Sequence, residues 1–443
     1  MNTFDNIAAP ATGIGGAVSI IRISGPDALA IGRRLWHGRR ELGPAHKREM
    51  LLGRVGADSA LAVYMPGPAS YTGDDVVELH CHGGQAAADN ALRLAFDAGC
   101  RLAEPGEFTF RAFSNGKLDL AQAEAVNDLI VAGSDLAFKT AAKQLEGVLS
   151  RQLDAIRDEL NDLRAECESR LDFPDEELEW DPEVPEKIDT LIDKVRKLYD
   201  TRDIGGALRD GISVVLAGRP NSGKSSLLNL LLGYERAIVT PIPGTTRDTV
   251  EAATVLRGLP VRLTDTAGLR ESADPIEKIG VERSRKSLSM AGVTFWLLDA
   301  SASDPAEELA EMERSGKIVN RIAVWNKTDL VPDRKLPETE DPAVRISAVT
   351  GAGIETLLST FASMAADSPR PAVPEVAVNA RAAKLLSEAL EALPEAAEQF
   401  RKAEYELAAS GIRAAMNRIG EVTGKTVEPD ILDRIFSRFC IGK

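Results

Sequence analysis

The sequence predicts a multidomain α/β and α protein, in which an α/β domain with a mainly parallel sheet is inserted into a helical domain, behind a smaller N-terminal α+β domain. Three observations predict it. The 443 residues exceed what one hydrophobic core usually organises. Strand-like and helix-like apolar runs alternate from about residue 209 to 369. Helical spacing on both sides of that stretch points to one helical domain interrupted by the insertion. The expected domains are therefore 1–118, 119–208, 209–369 and 370–443, the second and fourth being two parts of the helical domain.

In chain order, the first region consists of short apolar runs broken by glycine and proline, such as Ala17 to Ile23 and Val76 to Leu79, which read as strands. No proline occurs between Pro105 and Pro174, and Leu145, Leu149, Leu153, Ile156, Leu160 and Leu163 recur at intervals of three and four. That spacing lays an apolar stripe along one or more long helices. The acidic stretch from Asp172 to Glu183, with Asp175, Glu176 and Glu177 in a row, reads as a solvated loop between helices rather than a metal site. After the α/β stretch, the sets Leu386, Leu390, Leu393, then Ile412, Met416, Ile419, then Ile431, Ile435, Phe439 mark further helices with buried stripes.

Composition bounds the function. Hydrophobic residues make up 44% and charged residues 27%, and no apolar run approaches the roughly 20 residues of a membrane span. Met1 to Pro10 has neither a basic leader nor an apolar signal core, so a cytoplasmic location is expected. A formal charge of -15 disfavours indiscriminate attraction to nucleic acid. Any RNA partner must meet a local basic patch or a helper protein. Cys81, Cys100, Cys167 and Cys440 lie far apart with no CxxC pair, which argues for reduced thiols. His80 and His82 face one side of a strand, but no third ligand follows at metal-site spacing.

The most specific signal is the apolar strand Ile212 to Ala217 followed by Gly218-Arg219-Pro220-Asn221-Ser222-Gly223-Lys224-Ser225 and a leucine-rich helix. This is a phosphate-binding P-loop in its required strand–loop–helix context. Asn221, Ser222, Gly223, Lys224, Ser225 and Ser226 are expected to cradle the phosphates, with Lys224 on the terminal ones and Ser225 on magnesium. A second strand ends in Asp265-Thr266-Ala267-Gly268, which supplies the magnesium shell and a glycine N–H that senses the terminal phosphate. Between them, Thr240-Pro241-Ile242-Pro243-Gly244-Thr245-Thr246 offers Thr246 as the second magnesium hydroxyl. Asn326-Lys327-Thr328-Asp329 reads the base. The Asp329 carboxylate accepts from both the ring N–H and the exocyclic amine of guanine, whereas adenine lacks that pair of donors. GTP is thus expected over ATP, with Ser347-Ala348-Val349 as the last base-contacting loop.

Hydrolysis needs a group to orient water, and Leu269, just after Asp265-Thr266-Ala267-Gly268, is unable to do so. Glu271, Asp274 and Glu277 are the downstream acids. Transition-state charge calls for an arginine finger, with Arg247 and Arg270 as candidates, or for a cation.

Outside these motifs the chain resembles the MnmE (TrmE) family of tRNA-modification GTPases, in the TrmE-Era-EngA-like group. The resemblance lies in Gly13-Ile14-Gly15-Gly16 leading into Ile20-Ile21-Arg22-Ile23-Ser24-Gly25-Pro26, and in Ser70-Tyr71-Thr72-Gly73-Asp74-Asp75. Glu78-Leu79-His80-Cys81-His82-Gly83-Gly84, Pro105-Gly106-Glu107-Phe108-Thr109, Gly116 to Ala125, and Phe439-Cys440-Ile441-Gly442-Lys443 carry it further. The family implies a tetrahydrofolate-binding-like N-terminal dimerisation domain, a helical domain and an inserted Ras-like P-loop GTPase domain. It implies a homodimer that works with the flavoprotein MnmG (GidA). Together they add a carboxymethylaminomethyl or aminomethyl group to the wobble uridine of certain tRNAs, with a one-carbon unit from a formyl or methylene folate. By the same resemblance Glu277 activates water, and potassium sits at Asn221, Thr240, Ile242 and Thr245. Folate contacts map to Arg22, Glu78, Lys117 and Lys443. Cys440 is either a nucleophile or redox centre or a small hydrophobe in a terminal helix. Two rival readings are an Era-like ribosome-assembly switch and a folate-dependent one-carbon enzyme regulated by GTP.

Overall fold

The computed structural model describes residues 4–173, 183–234, 251–265, 292–316, 318, 320–366, 375–427 and 429–442. The chain forms two compact units. One comprises residues 1–127, 145–182 and 395–443, the other residues 128–144 and 183–394. Both contain a sheet and helices, so the mixed α/β and α class expected from the sequence is observed.

The first unit holds a seven-stranded sheet. Its strands are β1 (Ile7–Pro10), β2 (Val18–Ser24), β3 (Trp36–Gly38), β4 (Leu51–Val55), β5 (Asp58–Met65), β6 (Val76–His82) and β7 (Arg101–Leu102). They lie in the order β3-β4-β5-β6-β2-β1-β7, antiparallel except for the β1–β7 pair. Period-2 alternation explains the two faces of the sheet. Ile21, Ile23, Val77, Leu79 and Cys81 turn inward onto helices α1 (Ala28–Leu35) and α2 (Gln85–Asp97), where Ala88, Ala91 and Ala95 let helix and sheet approach closely. The intervening residues Arg22, Glu78 and His80 occupy the other face.

Helix α3 (Glu107–Ser114) follows, and α4 (Leu120–Val131) carries the chain from the first unit into the second. After α5 (Asp135–Leu145), Gly147 at φ 78° supplies a left-handed turn that a side chain would strain. Helix α6 (Val148–Asp172) then buries Leu149, Leu153, Ile156, Leu160 and Leu163, the stripe read from the spacing. It packs along the later helix Tyr405–Thr423, whose Ala408, Ile412, Ala415 and Ile419 are buried. Fully burying each large aliphatic side chain contributes about 1.5–3 kcal/mol.

The second unit contains α7 (Val184–Tyr199), α8 (Arg202–Asp210) and a six-stranded sheet of β8 (Ile212–Gly218), β9 (Glu251–Leu256), β10 (Leu259–Asp265), β11 (Val293–Asp299), β12 (Arg321–Asn326) and β13 (Ala343–Arg345). The order is β13-β12-β11-β8-β10-β9, parallel except for β9 on the edge. Both faces are covered, which is why these strands read as near-continuous apolar runs. Phe295 and Leu297 of β11 join a core with Leu227 and Leu231 of α9 (Lys224–Tyr234). Leu298 of the same strand joins Leu309 and Met312 of α10 (Pro305–Arg314). Helix α11 (Ile354–Ala366) adds Leu357, Leu358 and Phe361 to the first of these cores. Helices α12 (Ala380–Arg401), α13 (Tyr405–Thr423) and α14 (Pro429–Phe436) complete the chain as described.

Among the described residues, no helix is long and apolar enough to cross a membrane. All four cysteines are free. Burial pushes the thiols of Cys81 and Cys167 up to about 11 and that of Cys100 to about 12, so these three are inert, whereas Cys440 is exposed.

Candidate functional site

The parallel strands of the second unit deliver polar residues to one end of the sheet. Registry pairs Asp265 with Leu216, Leu297 with Gly218, and Asp299 with Asn326, so these motif residues lie at the carboxyl ends of adjacent strands. β8 lies between β10 and β11, where the chain order reverses. Open α/β sheets bind ligands at such a point.

The loop from β8 to α9 has the backbone its motif demands. Asn221 at φ 62° and Gly223 at φ 97° adopt left-handed conformations, and Leu227 N–H closes the first helical bond to Gly223 O at 2.9 Å. A Cβ on Gly223 would lie 2.1 Å from Asn326 Nδ2, so only glycine permits this approach. Asn326, almost fully buried, ties the site together. Its Nδ2 donates to Ser222 O at 2.9 Å, and its Oδ1 accepts from Ala348 N at 2.9 Å. One side chain thereby fixes the P-loop to the Ser347-Ala348-Val349 segment. Thr328 Oγ1 donates to Ile346 O at 2.8 Å and joins the same segment to the base-reading turn, where Asp329 is exposed.

Lys224 is buried, and its ammonium donates to the carbonyls of Gly218 and Arg219 at 3.0 and 2.7 Å, across its own loop. Ser225 Oγ donates to Asp265 Oδ2 at 3.1 Å. A hydroxyl and a carboxylate converging at a phosphate loop are hard oxygen donors of the kind magnesium takes. Exposed Ser226 stands next in α9. Ser222 Oγ is buried without a hydrogen bond in the described structure. Val349 is 82% exposed, which leaves the backbone of its loop as the means of base contact.

Sequence reasoning missed three residues here. Asp304 accepts from the N–H groups of Ala306 and Glu307, and with Pro305 it starts α10. That helix aims Glu307, Glu308 and Glu311 at the P-loop residue Arg219, whose guanidinium donates to Glu308 at 2.8 Å and also to Glu311. The other oxygen of buried Glu308 accepts from Asp299 N–H at 3.2 Å. Lys327 Nζ lies 2.6 Å from Asp299 Oδ2. Burial raises the Asp299 carboxyl, but Lys327 and the Ser301 donors outweigh it and hold the group below the ordinary carboxylate range. Arg219, Asp299 and Glu308 thus link phosphate loop and base-reading turn. The legible clue was Asp299 ending an apolar strand, in the manner of Asp265 and Asn326.

Several expected residues lie outside the described residues: Thr240, Ile242, Thr245, Thr246, Thr266, Ala267, Gly268, Glu277, the finger candidates Arg247 and Arg270, and Lys443. The same holds for Asp175, Glu176 and Glu177.

In the first unit, Arg22 and Glu78 face each other across β2 and β6, with Arg22 Nε donating to Glu78 Oε1 at 2.8 Å. The guanidinium lies 5.3 Å from the Tyr71 ring centroid and 5.6 Å from that of Phe108. His80 Nε2 comes within 3.4 Å of Glu78 Oε2 yet lacks hydrogen-bond geometry, leaving a buried polar atom unsatisfied. A half-buried carboxylate and an orphaned ring nitrogen beside it fit a heterocycle with donors on its edge. Lys117 Nζ donates to Pro68 O at 2.9 Å, in the loop that also carries Tyr71. The Cys440 carbonyl accepts from Gly106 N–H at 3.4 Å, and a Cβ on Gly442 would meet Pro10 O at 1.8 Å, so the segment through Gly442 lies against the end of β1. Cys440 is neither helical nor buried, which removes the reading of a small hydrophobe in a terminal helix. His82 pairs with Asp58 at 2.5 Å, so His80 and His82 share no partner.

In the same unit, Glu107 and Arg111 are fully buried. Arg101 and Arg111 both pair with Glu107 and with Asp5, at distances from 2.6 to 3.1 Å. Burial raises the Glu107 carboxyl, but Arg101, the Glu104 N–H and Arg111 together hold it below the usual glutamate value.

Two family models match, "MnmE helical domain" over residues 120–440 and "GTP-binding protein TrmE N-terminus" over residues 6–117. A protein from Symbiobacterium thermophilum described as "tRNA modification GTPase MnmE" is 44% identical over 99% of both chains. Proteins of the same description from Natranaerobius thermophilus and Clostridioides difficile are 40% and 39% identical, over 100% and 99% of both chains.

Proposed function

The chain belongs to the MnmE family of tRNA modification GTPases, and from that premise we propose that it hydrolyses GTP to drive modification of the wobble uridine of certain tRNAs. The observation that carries the nucleotide half is the Asn326 side chain, which joins the P-loop at Ser222 to the base-reading segment at Ala348 and so assembles one guanine-nucleotide cleft.

Within it the amides of residues 221–225 bind the phosphates, Lys224 moves from its own loop carbonyls to the terminal phosphate oxygens, and Asp329 selects guanine. Ser225 and Thr246, with the Asp265 shell, would hold magnesium, which would supply neutralisation of the phosphate charge. Glu277 orients the attacking water. Asn221, Thr240, Ile242 and Thr245 would hold potassium, whose charge would supply what an arginine finger otherwise gives, with hydrolysis coupled to pairing of GTPase domains across a homodimer.

The modification half rests on the first unit. Glu78 and Arg22, with Lys117 and Lys443, bind a formyl or methylene tetrahydrofolate, and exposed Cys440 serves as the reactive thiol beside it. The flavoprotein MnmG (GidA) is the partner, in a heterotetramer or larger complex, and the carboxymethylaminomethyl or aminomethyl group is the product. The domain bounds proposed with this reading are residues 1–118, 119–208, 209–369 and 370–443, and the proposed location is cytoplasmic. An Era-like switch leaves the family match over residues 6–117 without a role.

The test is GTP turnover in potassium against sodium at equal ionic strength, for wild type and Asn221→Ala. Stimulation by potassium that Asn221→Ala removes supports the reading. Equal rates in both salts transfer the charge-stabilising role to Arg247, Arg270 or an external finger.

A further inference from the structure

A polyanionic substrate must find a basic surface on a chain whose formal charge is -15. Between Arg33 and Arg54 the balance reverses, with seven arginines and lysines against two glutamates. All seven cations are exposed. They span the end of α1, the edge strand β3, the following loop and β4, at the rim of the sheet opposite β7.

Four of them, Arg33, Arg39, Arg40 and Arg54, line an open groove of about 1250 Å³ whose wall runs from Trp36 to Leu42 and from Met50 to Arg54. Its floor is closely packed. A Cβ on Gly38 or Gly53 would come within 2.9 or 2.6 Å of the Trp36 ring, so both backbones lie flat on the indole, whose Nε1 donates to Arg40 O at 3.1 Å. Arg33 Nε donates to Leu42 O at 2.7 Å, which fixes one wall. The charge is largely uncommitted. Arg40 pairs with Glu49 at 3.4 Å in an exposed contact, while among the described residues no ion pair engages Arg39, Lys47 or Arg54.

We propose that this groove grips the phosphate backbone of the tRNA substrate. The inference rests on the tRNA-modifying reading above and adds to it the surface that performs the contact. Guanidinium forks match phosphate oxygens bidentately, and a groove open at its rim admits a continuous backbone where a closed pocket admits only a small ligand. Because the rest of the chain carries net negative charge, local attraction at this groove also sets the orientation of approach.

The test uses the full chain, unmodified tRNA and fluorescence anisotropy from roughly 50 to 200 mM salt. The variant Arg39→Glu/Arg54→Glu is compared with wild type and with the charge-conserving Arg39→Lys/Arg54→Lys, thermal melts and GTP turnover confirming that each is folded. The expected result is a loss of about tenfold or more in the reversed variant, with the log–log salt slope reduced by roughly 2, and near-wild-type binding in the conserving one. Equal affinity and slope in reversed and wild-type chains overturn the groove assignment. A changed molar mass by light scattering with an unchanged salt slope assigns the groove to a second copy of this chain and also overturns it. Wild-type protein that turns over GTP but binds no tRNA at any salt overturns instead the reading on which the inference stands.

Discussion

In the nucleotide cleft, polar groups come mostly from consecutive residues held by backbone hydrogen bonds at the ends of parallel strands. The N-terminal unit assembles its charges from segments as distant in sequence as Asp5, Arg101 and Arg111. The cleft uses one buried amide, Asn326, as its clamp, whereas the N-terminal unit buries full charges and satisfies them with each other. The difference teaches where fragility lies. A buried amide loses hydrogen bonds when removed, but a buried ion cluster loses a partner and keeps an uncompensated charge.

The largest expected effect breaks the ion cluster. Glu107→Ala leaves buried Arg111 to share the Asp5 carboxylate with Arg101, two cations on one partly exposed anion, and the N-terminal unit should lose about 3 kcal/mol, read as a lower urea midpoint. A loss under about 1 kcal/mol would place the cluster's charges effectively in solvent and erase the contrast. Next comes the clamp. Asn326→Ala strips the partners of Ser222 O and Ala348 N, each worth about 1–3 kcal/mol, so GTP binding by calorimetry should weaken about 10- to 100-fold or more.

Acid should also separate the two regions. The folded Glu107 and Asp5 carboxyls titrate below their unfolded values: burial raises both, and their arginine partners and the other hydrogen-bond donors outweigh it. Their stabilisation is therefore complete above the unfolded value near 4 and is lost as pH falls through the folded value. Denaturation of the N-terminal unit followed against pH should steepen below about pH 4.5, and Glu107→Gln should flatten that slope. The smallest effect is expected at the exposed Lys139–Asp135 pair, 3.0 Å apart, where Lys139→Ala should shift stability by about 0.5 kcal/mol or less in thermal melts.

Sequence legibility follows the same division. The P-loop could be read because its glycines, lysine and serine are contiguous and flanked by a strand and a helix, and the leucine stripe of α6 because helical period maps directly to burial. Arg219, Glu308 and Asp299 were not legible, since nothing in a spacing says that a P-loop arginine reaches a helix some ninety residues on. Arg22 and Glu78 came from resemblance alone. Their cross-strand registry appears only once β2 and β6 are paired. The role of Cys440 was open in sequence, and its exposure beside Gly106 narrows it in a way that no local pattern encodes.

The central claim is that the GTP cleft serves tRNA modification, and the most direct measurement is the wobble-nucleoside content of total tRNA by mass spectrometry. A strain lacking this gene would be complemented by wild type or by Lys224→Ala. The account predicts that wild type restores the modified wobble uridine and Lys224→Ala does not. Full modification without the gene, or equal restoration by Lys224→Ala, would contradict it.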